Sequence, residues 1–250
     1  MSCVYGPGGY GNYWYSLYWQ QPVPQFTPSW TSPRQPPEDP YEIDGSGPSE
    51  SPITPSWAAT DVAFNPGGVP PGNDRIVSFV NDGDKPMHLR FTPNAGEQEM
   101  PDIVIPPGEA VNVQFPPGWS GNVRSTSGGF GNPATLIELA FDDNGKAWGD
   151  VSFIEGANAA ATIEPAGGGT RTGFMTNLLE GAPDSLVVRD ANGVPYAIRP
   201  STVNNVIDPY VLDFLEGRVP EGHGYKYPTD DLSTVGFESS NLVVHVRDFI

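Results

Sequence analysis

Basic side chains are scarce in this chain: 12 Lys and Arg stand against 30 Asp and Glu, a formal charge of −18. A surface so acidic repels phosphate backbones and anionic headgroups, so nucleic-acid binding and membrane association are not expected. Neutral polymers such as polysaccharides, basic partners and cations remain as ligand classes. Cysteine is nearly absent, and Cys3 alone permits no intrachain disulfide. Long hydrophobic runs are also missing, so no membrane-spanning helix is expected. The opening stretch MSCVYGPGGYGNYWYSLYWQ lacks a basic start and an uninterrupted apolar run, unlike a signal peptide. The expectation is synthesis in a reducing cytoplasm. Later incorporation into a virion or surface assembly would leave no trace in such a sequence.

Glycine and proline are abundant, 30 and 29 residues, which disfavours long helices and favours short strands joined by turns. They divide the chain unevenly. Residues 1–73 show no helical or strand period and are rich in Tyr, Trp and Pro, with Arg34 the only basic residue. Two readings stand for this segment. It is a linker with incidental aromatics, or an extended arm whose Tyr13, Trp14, Tyr15, Trp19, Trp30 and Trp57 anchor a protein partner or neighbouring copies.

From residue 74 to 250 the pattern is all-β. RIVSFVND, KPMHLRF, DIVIPPGEAVNVQF, GNVRSTS, ATLIELAFDDNGKAWGDVSFIEG, SLVVRDANGVPYAI and NLVVHVRDFI alternate apolar and polar residues between turn signals. Spacing of this kind predicts a sandwich or barrel. One segment departs from it. In DPYVLDFLEG, Asp208 caps, Pro209 fits the first turn, Val211, Leu212 and Leu215 share a face, and Gly217 stops a short helix over 208–217.

Three blocks, in order, resemble the thaumatin-like family: IPPGEAVNVQFPPGWSGNVRSTSG, TLIELAFDDNGKAWGDVSFIEGANAAATIEP, and DPYVLDFLEGRVPEGHGYKYPTDDLSTVGF, with NLVVHVRDF as a closing strand. The resemblance covers roughly 74–250 and implies an antiparallel β-sandwich with an acidic cleft that in many members binds β-1,3-glucans and in some hydrolyses them weakly. Carried over position by position, the cleft set falls on Arg124, Glu138, Asp150, Glu155 and His223. The departures are the missing disulfides, a second domain reduced to the Gly-rich stretch EPAGGGTRTGF, and the arm at 1–73, which has no counterpart in the resemblance.

Glu138 and Asp150 lie on successive strands joined by the DDNG turn, so both side chains can point to one face. Glu155 has the opposite parity and joins them only if the chain turns, for which Gly156 is suited. If the protein is an enzyme, Glu138 is the acid and Asp150 the nucleophile or base of a β-1,3-glucan hydrolase. Carboxylates in a groove equally hydrogen-bond sugar hydroxyls, and the expectation here is a non-catalytic module binding polysaccharide or a surface receptor. A structural part in a larger assembly, fixed by the arm, is the alternative. Arg124 is expected to pair with the acids. No cofactor or metal is expected: DDNG, NDGD and DANG read as turns, and His88, His223 and His245 lack ligand spacing.

Overall fold

The computed structural model describes residues 65–126 and 133–250. The proposed anchors Tyr13, Trp14, Tyr15, Trp19, Trp30 and Trp57 lie outside the described residues. Fifteen strands run in chain order: β1 (Ile76–Asn81), β2 (Met87–Pro93), β3 (Ile103–Ile105), β4 (Ala110–Gln114), β5 (Ser120–Ser125), β6 (Leu136–Phe141), β7 (Ala147–Ser152), β8 (Ala159–Pro165), β9 (Thr172–Phe174), β10 (Val187–Arg189), β11 (Pro195–Ile198), β12 (Thr202–Val203), β13 (Val206–Ile207), β14 (Val235–Phe237) and β15 (Leu242–Asp248). A helix, α1 (Pro209–Glu216), interrupts them.

Two sheets form the body. The first has the order β4-β1-β15-β8-β9 and the second β14-β7-β6-β5-β2-β3; β10–β11 and β12–β13 are separate hairpins. β1 and β15 pair in parallel, and the other strand pairs are antiparallel. The stretch DIVIPPGEAVNVQF supplies two strands that never meet: β3 pairs with β2 in the second sheet, and β4 pairs with β1 in the first. Its Pro-Pro-Gly-Glu turn therefore carries the chain across the sandwich.

Strand parity explains the core. On the inner face of the second sheet stand Leu89, Phe91, Val123, Ile137, Leu139 and Val151; opposite them lie Val77, Phe79, Ile163, Leu242, Val244 and Val246, all buried in one cluster. At one end Phe79, Phe91, Phe115, Trp119 and Phe141 pack ring on ring, with centroids 4.8 Å apart for Phe115–Trp119 and 5.0 Å for Phe115–Phe141. The Trp119 indole N–H donates to Gln98 O at 3.0 Å, so this fully buried ring leaves no polar atom unsatisfied. With a single cysteine in the chain no intrachain disulfide forms, and this end of the core is held by aromatic packing.

Residues 65–73 lie against the first sheet's other face. Val69 packs with Val80, Ala166 and Val243, and Asn241 Nδ2 donates to Pro70 O at 3.0 Å. Helix α1 forms as its sequence dictates. Asp208 Oδ1 accepts from the backbone N–H of Tyr210 at 3.0 Å and of Val211 at 3.3 Å, and Val211 and Leu215 are buried while Leu212 is half-buried. Among the described residues no helix is long and apolar enough to cross a membrane.

The sheets approach most closely where β7 meets β8 and β9. A Cβ on Gly149 would stand 3.0 Å from Ile163 Cδ1 and 3.1 Å from Glu138 O. Gly173 has φ +94, and a Cβ there would collide with Ala161 O. Gly173→Ala should therefore destabilise the protein by about 2–4 kcal/mol through backbone strain and overpacking. Urea unfolding checks this; a midpoint equal to the wild type's would contradict the tight β8–β9 approach.

Candidate functional site

The outer face of the second sheet carries a polar row. Thr92 lies opposite Asn122, Asn122 opposite Glu138, and Glu138 opposite Asp150. Thr234, immediately before β14, ends the row by donating its hydroxyl to Asp150 Oδ2 at 3.1 Å. The hairpin at Asp142–Lys146 sets this register. Asp142 Oδ1 accepts from the N–H groups of Asn144 and Lys146, each at 2.8 Å, and Gly145 takes φ +82 to close the turn. The DDNG motif thereby places the two acids face to face.

Burial varies along the row. Thr92 is exposed and Glu138 half-buried, whereas Asn122 and Asp150 are only 3% and 4% exposed. A strap of residues 223–234 covers Asp150. It is tied to β7 by Tyr225 N–H donating to Val151 O at 2.8 Å and Phe153 N–H donating to Tyr225 O at 2.9 Å. Within the strap, Asp230 Oδ2 accepts from Lys226 N–H at 3.1 Å, and the Lys226 ammonium, itself buried, donates to Val219 O at 3.2 Å. The Tyr225 hydroxyl accepts from Thr229 N–H at 3.1 Å.

Burial, the adjacent Asp150 charge, the hydrogen bond with Asp150 and the Glu155 charge push the Glu138 carboxyl well above its usual range; Arg124 opposes them. Burial likewise pushes Asp150 up to about 7, reinforced by Asp230 and opposed by its hydrogen bonds with Thr234 and Glu138. Burial, with the charges of Asp150, Asp231 and Glu138, also holds the Tyr225 phenol far above its ordinary value. Asp150 Oδ1 is sealed from water and has no donor among the N–H and O–H groups around it. A protonated Glu138 can supply that donor. Both acids thus hold their protons to higher pH than exposed carboxyls do.

Arg124 stands two residues beyond Asn122 on the same face of β5. Its guanidinium donates to Asn122 Oδ1 at 3.0 and 3.2 Å and to Glu155 Oε2 at 3.1 Å. Glu155 reaches this face because the chain turns after β7. Gly156 takes φ +103, and its N–H donates to Phe153 O at 3.0 Å. A glycine in the left-handed region thus brings Glu155, of opposite strand parity, to this face.

Four of the five sequence candidates, Arg124, Glu138, Asp150 and Glu155, form one cluster. His223 does not join it: its backbone N–H donates to Pro220 O at 3.1 Å, and no hydrogen bond or ion pair links its ring to the carboxyl pair. Asn122, Thr234, Tyr225 and Asp230 are additional members. Asn122 was readable from its parity with Arg124. Thr234 carries no local signal, being 84 residues from its partner Asp150. Among the described residues no group of three or more His, Cys, Asp and Glu is arranged to hold a metal ion.

No family model matches the sequence, and no curated protein matches it. Among solved structures the chain is similar to the protein elicitor MoHrip2 from Magnaporthe oryzae, with 12% identity over 70% of this chain and 98% of that one, at a TM-score of 0.32. It is similar also to the thaumatin-like xylanase inhibitor TLXI, with 10% identity over 69% of this chain and 97% of that one, at a TM-score of 0.35.

The raised acids make a signed prediction about stability. An acid with a higher pKa in the folded than in the unfolded state stabilises the fold below its unfolded value, and loses that contribution as pH rises through its folded value. For Asp150 the window runs from 3.8 to about 7, and for Glu138 it starts at 4.5 and extends well above. Glu138→Gln keeps a donor for Asp150 Oδ1 and removes one ionisation. It should raise stability at pH 8 by about 1–3 kcal/mol relative to wild type while leaving pH 4 nearly unchanged. Denaturant midpoints at both pH values check this; equal differences at the two would contradict the buried pair.

Proposed function

We propose that the chain is a non-catalytic, thaumatin-like recognition module that binds glucan-type polysaccharide at the Arg124–Glu138–Asp150–Glu155 face. The observation that carries this reading is the contact between the two acids. Glu138 and Asp150 are hydrogen-bonded to each other. The carboxyl pairs of glycoside hydrolases stand about 5–5.5 Å apart for retention and 6.5–9.5 Å for inversion, leaving room for the scissile bond or a water. Here the two acids stand directly opposite each other on paired strands, and Asp150 is buried against the 223–234 strap. The arrangement disfavours the glucanase alternative and suits binding.

Several properties fit a sugar ligand. A sugar hydroxyl both donates and accepts, and the face offers both functions: the Glu155 and Glu138 carboxyls accept, and the Arg124 guanidinium donates. A retained proton keeps the pair's charge below that of two free carboxylates, which lowers the penalty of covering it with a neutral ligand. A neutral polymer also approaches a chain of charge −18 without the repulsion that phosphate or sulfate groups meet. The ordered sequence blocks that resemble the thaumatin-like family point to the same ligand class.

Sedimentation with insoluble β-1,3-glucan tests the proposal. Glu138→Ala with Asp150→Ala should lower retention at least about tenfold, equivalent to about 1.4 kcal/mol, with the fold intact by near-UV circular dichroism. Retention equal to wild type would sink the cleft reading. Wild type incubated with laminarin should release no reducing sugar, and release that Glu138→Gln abolishes would establish the enzyme instead.

A further inference from the structure

Four of the eight large apolar side chains exposed among the described residues fall within one eight-residue stretch: Val203 at 55%, Val206 at 68%, Ile207 at 38% and Tyr210 at 70%. They belong to the β12–β13 hairpin and the first turn of α1. Val203 and Val206 pair across the hairpin, whose tip residues Asn204 and Asn205 both adopt left-handed φ values of 50 and 64. The tip is thus a tight two-residue turn that presents a valine pair outward. Its base is fixed. Thr202 is buried and donates its N–H to Ile154 O at 3.4 Å, Asp208 N–H donates to Ser201 O at 2.8 Å, and Arg199 Nη2 holds Asp208 Oδ2 at 2.7 Å. A rigid, exposed apolar cluster of this kind marks a contact surface.

We propose that this face docks the chain's own uncharged aromatic segment, residues 10–19. The chemistry of that segment is complementary. Residues 1–33 contain no charged side chain, although the whole chain carries −18, and Tyr10, Tyr13, Trp14, Tyr15, Tyr18 and Trp19 crowd into ten positions. Large aromatic side chains with few rotatable bonds are effective anchors for an apolar patch, and the absence of charge spares both sides a desolvation penalty. Tyr210, the most exposed ring of the patch, is suited to stack with them.

Length permits the contact within one molecule. About 45 residues separate position 19 from Asn65, where the described chain begins. A random-coil chain of that length would span about 35–40 Å on average, against a radius of gyration near 16 Å for a domain of this size. Tethering gives the segment a millimolar effective concentration, so docking within the chain outcompetes another copy in dilute solution. Docking would return the arm to the same molecule.

Hydrogen exchange of the full-length protein tests this. In the wild type, amides of residues 10–19 should exchange about tenfold more slowly than unstructured amides, with the slowing unchanged on dilution. Val206→Asp should abolish that protection while β6 and β7 exchange as before. In the converse variant, Trp14→Ser with Trp19→Ser, amides of 202–207 should exchange faster than in wild type. Unprotected exchange of 10–19 in the wild type overturns the proposal, as does protection that survives Val206→Asp. Protection lost on dilution overturns it in favour of a second copy's segment.

Discussion

A hydrogen bond between two carboxyl groups, Glu138 on β6 and Asp150 on β7, organises the site. Two ionised carboxylates in contact, one of them 4% exposed, would be untenable. A retained proton resolves the conflict. Everything around the pair serves that arrangement: the Asp142 turn fixes the register, Gly149 and Gly173 bring the sheets close behind it, and the 223–234 strap excludes water in front. Arg124 and Glu155 complete the face as an ion pair at 3.1 Å that keeps a cation beside the acids.

The close opposition of the pair is also the basis for proposing binding and not hydrolysis. Glycosidase chemistry needs its two carboxyls apart, one free to protonate and the other free to attack or activate water. Here one Asp150 oxygen accepts from the Thr234 hydroxyl, and the other is buried with no N–H or hydroxyl donor, so that a protonated Glu138 is the group suited to serve it. The groups that remain available, Glu138, Glu155 and Arg124, are suited to hold hydroxyls.

Much of this was legible in the sequence, and for identifiable reasons. The helix was signalled by local chemistry: Asp208 as cap, Pro209 at the first turn and Gly217 at its end. The facing of Glu138 and Asp150 followed from period-2 alternation and a turn of known type, both short-range properties. Long-range placements were not legible. Nothing local announces that β1 and β15 pair in parallel, or that Thr234 seals Asp150 from 84 residues away. The exposed β12–β13 hairpin escaped notice because its two strands are only two residues each, too short for alternation to register. His223 was carried over by resemblance alone, and its backbone, bonded to Pro220, stays within its own loop.

The most direct test of the account is a ¹³C NMR titration that follows the Glu138 and Asp150 side-chain carboxyl carbons between pH 3 and pH 9. The account predicts a coupled pair. Glu138 should stay protonated well above the ordinary carboxylate range, Asp150 should titrate near 7, and Glu138→Gln should shift the Asp150 transition. Two independent transitions near 4, unaffected by substitution of the partner, would contradict it.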